Sequence, residues 1–176
     1  MNNKYIGVVV ACMVSCCLHI AAQEHPKREF RGVWLPTAWQ SRYAENCTEE
    51  NKSLIVELLD VLQATGINAV IFQVRPQADA FYPSQLEPWS RHLTGTAGEA
   101  PSPGWDPLQF IIEQCHERNM ELHAWINPYR VTLSANETLP DGHLYYREPQ
   151  LFVRYNGKLY FDPGLPDARA HILAVI

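Results

Sequence analysis

Beyond residue 28 the spacing of apolar positions alternates between a period of two and a period of about 3.6, which predicts strands alternating with helices. Phe30 to Pro36 is the first strand, bounded by a charged lead-in and by Pro36. A helix follows from about Glu49 to Thr65, with Leu54, Ile55, Leu58, Leu59 and Leu62 along one face. Thr48 stands where an N-cap belongs, Glu49 and Glu50 suit the dipole of the first turn, and Gly66 ends the helix. Asn68 to Val74 is the second strand. Asp106-Pro107-Leu108-Gln109 then opens a helix with an N-cap, a first-turn proline and a capping-box glutamine, and Leu108, Ile111, Ile112 and Cys115 form its buried stripe. Glu121 to Asn127 is the third strand, and after a long connection a helix begins near Asp167, carrying Ile172, Leu173, Val175 and Ile176.

Three successive strand-then-helix units imply right-handed crossovers and a parallel sheet, either doubly wound or the start of a (β/α)8 barrel. Strand parity separates the two. Leu122, Ala124 and Ile126 point one way, and His123, Trp125 and Asn127 the other; Val70, Phe72 and Val74 share a face opposite Gln73 and Arg75. A doubly wound sheet, covered on both sides, is apolar on both faces, whereas a barrel interior turns polar toward the strands' C-terminal ends. The barrel is therefore expected, although Gln73 and Arg75 also fit a simpler role as strand ends meeting water. A barrel takes about 250 residues. The chain has 176 and its final apolar residues lack a cap, so the expected fold class is α/β: the first three βα units of a truncated (β/α)8 TIM-type barrel, strand order 1-2-3, helices on one face.

Composition narrows the functional classes. With 14 basic against 19 acidic residues, a net charge of −5 and no basic run, the chain lacks the electrostatic footprint of nucleic-acid binding. Residues 1–22 have the form of an export signal, with Lys4 ahead of a short apolar run from Ile6 to Cys17. Two processing points compete: Ala21-Ala22 as a small-residue cleavage site, and Met13-Val14-Ser15-Cys16, which resembles a bacterial lipobox with Cys16 as the lipidation candidate. Either reading makes an exported protein, in the periplasm or as an outer-membrane lipoprotein, touching the membrane only through that anchor. Residues 23–28 are a linker and 29–176 the domain. Cys47 and Cys115 could pair in an oxidising compartment, but Cys115 on an apolar helix face is more simply a buried thiol.

Four ordered motifs carry a resemblance. They are Phe30-Arg31-Gly32-Val33-Trp34-Leu35, the run from Phe72 to Tyr82, the run from His123 to Arg130, and Asp162-Pro163-Gly164 with Pro166 before a helix. Together, across roughly Glu29 to Ile176, they resemble the glycosyl hydrolase-like 10 family of bacterial exported (β/α)8 proteins. The resemblance implies a glycosidase acting on bacterial cell-wall, peptidoglycan-type or related glycans, some members being linked to peptidoglycan stripped of its peptides. It also exposes a departure: the acidic stretch that the family carries after its fourth strand has no equivalent in these residues. Glycoside hydrolysis generally needs two carboxyl groups across the scissile bond. The catalytic residues are therefore expected beyond this chain, leaving either an inactive fragment of a glycoside hydrolase or a non-catalytic, glycan-binding or decayed remnant of one.

Asp79, in the loop after the second strand, is the internal carboxylate candidate, though an aspartate there also suits a turn. Arg75 and Arg130 offer donor forks, Gln73 and Asn127 both donate and accept, and Tyr129 or Trp125 suits a pyranose face. Gln73, Arg75, Asn127 and Tyr129 are expected to converge into part of a sugar subsite. His123 is open between polar core and substrate donor, Trp34 and Trp125 between core and platform, and Arg31 reads as a structural ion-pair partner. No cofactor is implied, and no close His and carboxylate cluster suggests a metal. Pro83 to Trp105 is an expected insertion at the barrel mouth, where Trp89 or Trp105 would shape a groove.

Overall fold

The computed structural model describes residues 29–38, 40, 43–44 and 48–176, so the signal, linker, Cys16 and Cys47 readings lie outside the described residues. The chain divides into two units, Met1–Phe30 and Arg31–Ile176, and every element named below belongs to the second. Strands β1 (Gly32–Leu35), β2 (Ala69–Arg75) and β3 (Glu121–Ile126) form a parallel sheet in the order β1-β2-β3. Helices α1 (Thr48–Ala64) and α3 (Pro107–Glu117) provide the crossovers, with a short helix α2 (Arg91–Thr94) between β2 and α3.

Both long helices pack on the same side of the sheet. Ile55 and Leu59 of α1 and Ile111 and Cys115 of α3 close over Val70, Phe72 and Val74, with Val33, Leu35, Leu122 and Ile126 at the flanks. Fully burying a side chain such as Leu59 or Ile111 contributes roughly 1.5–3 kcal/mol, so this face anchors the unit. The opposite face carries Trp34, Ile71 and His123 side by side in register, then Gln73 and Trp125. It is open at Trp34, which is 60% exposed.

Local chemistry fixes the helix ends. Ile67 N donates to Leu62 O and Gly66 N to Gln63 O, the paired closure that a left-handed Gly66 (φ 82°) allows. Arg31 Nε donates to the Gly66 carbonyl, so this arginine ties β1 to the C-terminal end of α1, where an ion-pair role is expected from sequence. Asp106 caps α3 by accepting from Gln109 N at 3.0 Å, but the Gln109 side chain turns along the helix to Glu113, so only half of the expected capping box forms. Thr48 is the first helical residue rather than the cap, and its hydroxyl donates to Pro103 O. Burial pushes the Cys115 thiol up to about 11.

The connection after β3 is not the plain loop that the sequence suggests. It contains a one-turn helix α4 (Leu144–Arg147) and an antiparallel hairpin of β4 (Phe152–Tyr155) and β5 (Lys158–Phe161), before α5 (Pro166–Val175). Tyr129 to Thr132 runs along β5, with Phe161 N donating to Tyr129 O and Val131 N to Leu159 O. Beneath lies a second core of Ala78, Val131, Leu151, Leu159, Phe161, Ala168 and Ile172. Asn156 (φ 48°) and Gly157 (φ 75°) make the hairpin turn in the left-handed region that such two-residue turns require.

A Cβ at Gly157 would stand 2.8 Å from the Ala135 Cβ, whereas one at Gly142 (φ 80°) would meet nothing within 4 Å. Gly157→Ala is expected to lose about 1–3 kcal/mol from backbone strain, and more from the clash. Gly142→Ala shows the strain alone. Equal urea midpoints for the two variants would mean that the Ala135 contact is not felt.

Candidate functional site

The loops after β2 and β3 meet above the C-terminal ends of the parallel strands, and a buried arginine holds them together. Arg75, the last residue of β2, is wholly buried. Its Nε donates to Glu87 Oε2 at 2.6 Å, its Nη2 to Glu87 Oε1, and its Nη1 to the carbonyls of Asn127 and Pro128 at 2.5 and 3.0 Å. Glu87 is delivered by a loop that folds back on itself: Ala80 N bonds Pro88 O, Ser90 N bonds Ala80 O, and the Ser84 hydroxyl accepts from Glu87 N. On the far side His171 Nε2 of α5 stands 3.5 Å from Glu87 Oε1, an ion-pair separation rather than a hydrogen bond, and its ring stacks on Phe161 at 5.2 Å. Burial pushes the Glu87 carboxyl up, but His171 and Arg75 outweigh it and hold the group below its ordinary value.

This geometry corrects the expected donor fork. Arg75 presents no edge to a ligand, because its guanidinium is enclosed and spent on Glu87 and two carbonyls. Gln73 is equally committed, its Oε1 accepting from Thr37 N and Ala38 N at 2.9 Å each, which pins the loop after β1. The two are not neighbours in function, and a register shift between them breaks the strand alternation that suggests they are. Gln73 and Arg75 therefore drop out of the expected four-residue subsite, Gln73 serving the β1 loop and Arg75 meeting Asn127 only through its backbone, and Asn127 and Tyr129 are left of the four.

What remains accessible is the rest of the expected residues. Trp125 packs edge-on against Trp34 at 5.0 Å, and its indole N–H donates to Asn127 Oδ1 at 3.1 Å, while Asn127 Nδ2 donates to Pro76 O. Tyr129 is 36% exposed. Arg130 is half-buried, its Nε donating to Pro76 O. His123 lies lower on the open face, 3.0 Å from Glu121 Oε2. Trp89 and Trp105 both lean on the helix-side core, Trp105 against Phe110, rather than framing a groove.

Asp79 fixes a turn. Its Oδ1 accepts from Gln77 N at 2.8 Å and the Ser90 hydroxyl hydrogen-bonds it, which supports Ala78 at a positive φ of 55°. Burial, with Glu87 adding repulsion, raises it to about 6 against the opposing hydrogen bonds. The adjoining cavity, between Asp79, Trp89, Val131, Glu137 and His143, has a volume of about 20 Å³, room for one water rather than a sugar. Gln77, absent from the sequence-derived set, is the hub here: its Nε2 donates to Glu137 Oε1 and its Oε1 accepts from His92 Nε2, each at 2.7 Å. Glu137 also accepts from Leu133 N. Among the described residues no cluster of His, Cys, Asp or Glu is arranged to hold a metal ion.

The model of the glycosyl hydrolase-like 10 family matches residues 29–176. The chain belongs to this family. It is 42% identical over 158 residues to the glycosyl hydrolase YngK of Bacillus subtilis, covering 86% of this chain and 30% of that one. It is 34% identical over 176 aligned positions to the glycosyl hydrolase DigH of Escherichia coli, covering 89% and 40%. The chain thus spans less than half of the length of these relatives. Among solved structures, a noncanonic maltogenic alpha-amylase, AmyB of Thermotoga neapolitana, superposes with a TM-score of 0.48 at 14% identity, over 83% of this chain and 35% of that one.

Two predictions follow the site's electrostatics. Glu87→Leu strands a buried guanidinium and is expected to cost about 3–5 kcal/mol in denaturant unfolding, while Arg75→Met with Glu87→Leu recovers a large part of that. A double variant no more stable than the single one would show that the ion pair is not the source. The second concerns pH. Asp79, raised from 3.8 to about 6, gives stability that is complete below 3.8 and lost as pH rises through 6. His143, pushed from 6.5 down to about 4 by burial, gives stability that is complete above 6.5 and lost as pH falls through 4. The two slopes oppose each other, each worth at most about 3 kcal/mol. Asp79→Asn is therefore expected to unmask a loss of stability on acidification from pH 6.5 to 4; an unchanged pH profile would refute the pairing.

Proposed function

We propose that residues 29–176 are the first three βα units of a (β/α)8 glycoside hydrolase that acts on bacterial cell-wall, peptidoglycan-type glycans, and that the protein is exported, with Cys16 as its lipid attachment point or with a cleaved signal. One observation carries the reading: the helices cover only one side of the sheet, and the other keeps an aromatic and polar surface that runs from His123 and Trp34 up to Trp125 and Asn127 at the C-terminal end of β3. Inward faces of barrel strands have this character where they approach a site. In the proposed site Trp125 offers its ring to a pyranose face, Asn127 and Tyr129 supply polar contacts, and Arg130 lies beside them. Arg75, Glu87 and Gln73 shape the loops from behind.

Glycoside hydrolysis needs an acid and a second carboxylate on either side of the bond. The acids that line these loops, the buried Asp79 and Glu87 and the part-buried Glu137, are each engaged by the fold, so the proposal assigns the catalytic pair to later units of the barrel. The same observation favours a second reading, in which this chain binds glycan without cleaving it. The names of YngK and DigH support the enzymatic reading of the longer protein.

The test compares the 176-residue chain with one extended to the length of its relatives, on peptide-stripped peptidoglycan. Cleavage is expected only from the extended chain. Binding is expected from both, weakened roughly three- to tenfold by Trp125→Ala, the loss of one aromatic contact. Cleavage by the 176-residue chain would overturn the assignment of the catalytic pair, and an inactive extended chain would leave glycan binding as the function.

A further inference from the structure

We propose that the outer face of the β4–β5 hairpin is a second glycan-contact site, a tyrosine strip that takes a carboxylate-bearing sugar chain leaving the site described above; it rests on the glycan reading of that site. Register and burial define the face. Phe152 pairs with Phe161 and Arg154 with Leu159, and of these Leu159 and Phe161 are buried in the second core. The alternate pairs, Val153 with Tyr160 and Tyr155 with Lys158, therefore face outward. Tyr155 is 69% exposed and Val153 41%. Tyr155 and Tyr160 are diagonal neighbours across the hairpin, roughly 7–8 Å apart at the backbone. That arrangement sets two tyrosines in succession along one face.

The strip is continuous with the open end of the parallel sheet. Tyr160 bridges to Arg130 in the backbone ladder, and Arg130 reaches the Pro76 carbonyl to which Asn127 also donates. A sugar chain resting on Trp125 and Asn127 would thus meet Arg130, Tyr160 and then Tyr155 in order. The two-residue turn at Asn156-Gly157, which passes so close to Ala135 that a Cβ on Gly157 would not fit, forms the outer end.

Charge selects the occupant. The chain carries a net charge of −5, yet the outward positions of the hairpin include Lys158 and no acid. Lys158 makes no ion pair with a described residue. The acid next in parity, Asp162, turns into the following bend, where its Oδ1 accepts from Gly164 N at 2.8 Å. Arg154 is also exposed, but by register it belongs to the other face, with its guanidinium over the Tyr145 ring at 5.9 Å and its Nη1 donating to Gly157 O, so Lys158 is the cation among the outward positions. Tyrosine rings with one cation and no carboxylate complement a ligand with apolar ring faces and anionic substituents. Peptide-stripped peptidoglycan, whose lactyl groups end in free carboxylates, has that chemistry; chitin-type oligomers share the ring faces without the charge.

The experiment measures binding of the chain to both polymers, with Tyr155→Ala, Lys158→Gln and Trp125→Ala as variants. Tyr155 is too exposed for its loss to unfold the hairpin, and circular dichroism checks that it does not. Tyr155→Ala is expected to weaken binding of both polymers by roughly three- to tenfold. Lys158→Gln is expected to weaken peptide-stripped peptidoglycan by a similar factor, more at low salt, and to leave the neutral oligomers unchanged. Loss of binding in Trp125→Ala with none in the hairpin variants would overturn the strip and spare the main site. Equal losses for both polymers in Lys158→Gln would overturn the acidic preference. A wild-type chain that binds neither polymer, or that uses the strip to dimerise, would overturn the inference, and the first result would take the glycan reading with it.

Discussion

The Arg75 guanidinium sits where four pieces of chain meet: the end of β2, the returning loop at Glu87, the turn after β3 and, through Glu87, helix α5. Removing such a charge from water is costly, and the attraction of a single carboxylate does not reliably offset it. Here the balance is restored by number. Both Glu87 oxygens and two backbone carbonyls take up the guanidinium donors, and the Phe161 ring lies 5.9 Å from its carbon. A lysine at this place has no planar fork to reach Glu87 and the carbonyls together. The segment from Asn127 to Arg130 therefore owes its position to a residue that never meets ligand.

Around that centre the loops use side chains to satisfy backbone groups that no strand or helix would. Gln73 takes the amides of Thr37 and Ala38, Asp79 that of Gln77, and Glu137 that of Leu133. Buried loops otherwise leave unpaired amides, each costing about 1–3 kcal/mol. Polar residues near the ends of parallel strands are thus ambiguous by nature: the chemistry that holds a sugar hydroxyl also holds a peptide group.

That ambiguity marks the boundary of what the sequence reveals. Periodicity places β1, β2, β3, α1 and α3 within a residue or two, because burying one face is a local constraint written in spacing. Parity also places Trp34, His123 and Trp125 on the open side. It does not foresee that Arg75 is enclosed, since Glu87 lies in an irregular loop twelve positions away with no periodic signal. Gln77 escapes for the same reason. The hairpin is a different case: reading the stretch after β3 as a plain connection passes over Asn156-Gly157 between two short runs rich in aromatic residues, a turn signal that needs no long-range contact.

The one-sided cover of the sheet bears on how the chain is made. All the partners of the helix-side core, from Val33 to Ile126, emerge from the ribosome before the second core at Leu151 to Ile172 has been synthesised. Domains form from the N-terminus during translation at about 5–20 residues per second, so an interval of seconds separates the two halves. The second core does not close what the first leaves open: with both in place Trp34 is still 60% exposed and β3 is still the edge of its three-stranded sheet, since the hairpin forms a sheet of its own. An edge of that kind is a template for one more strand.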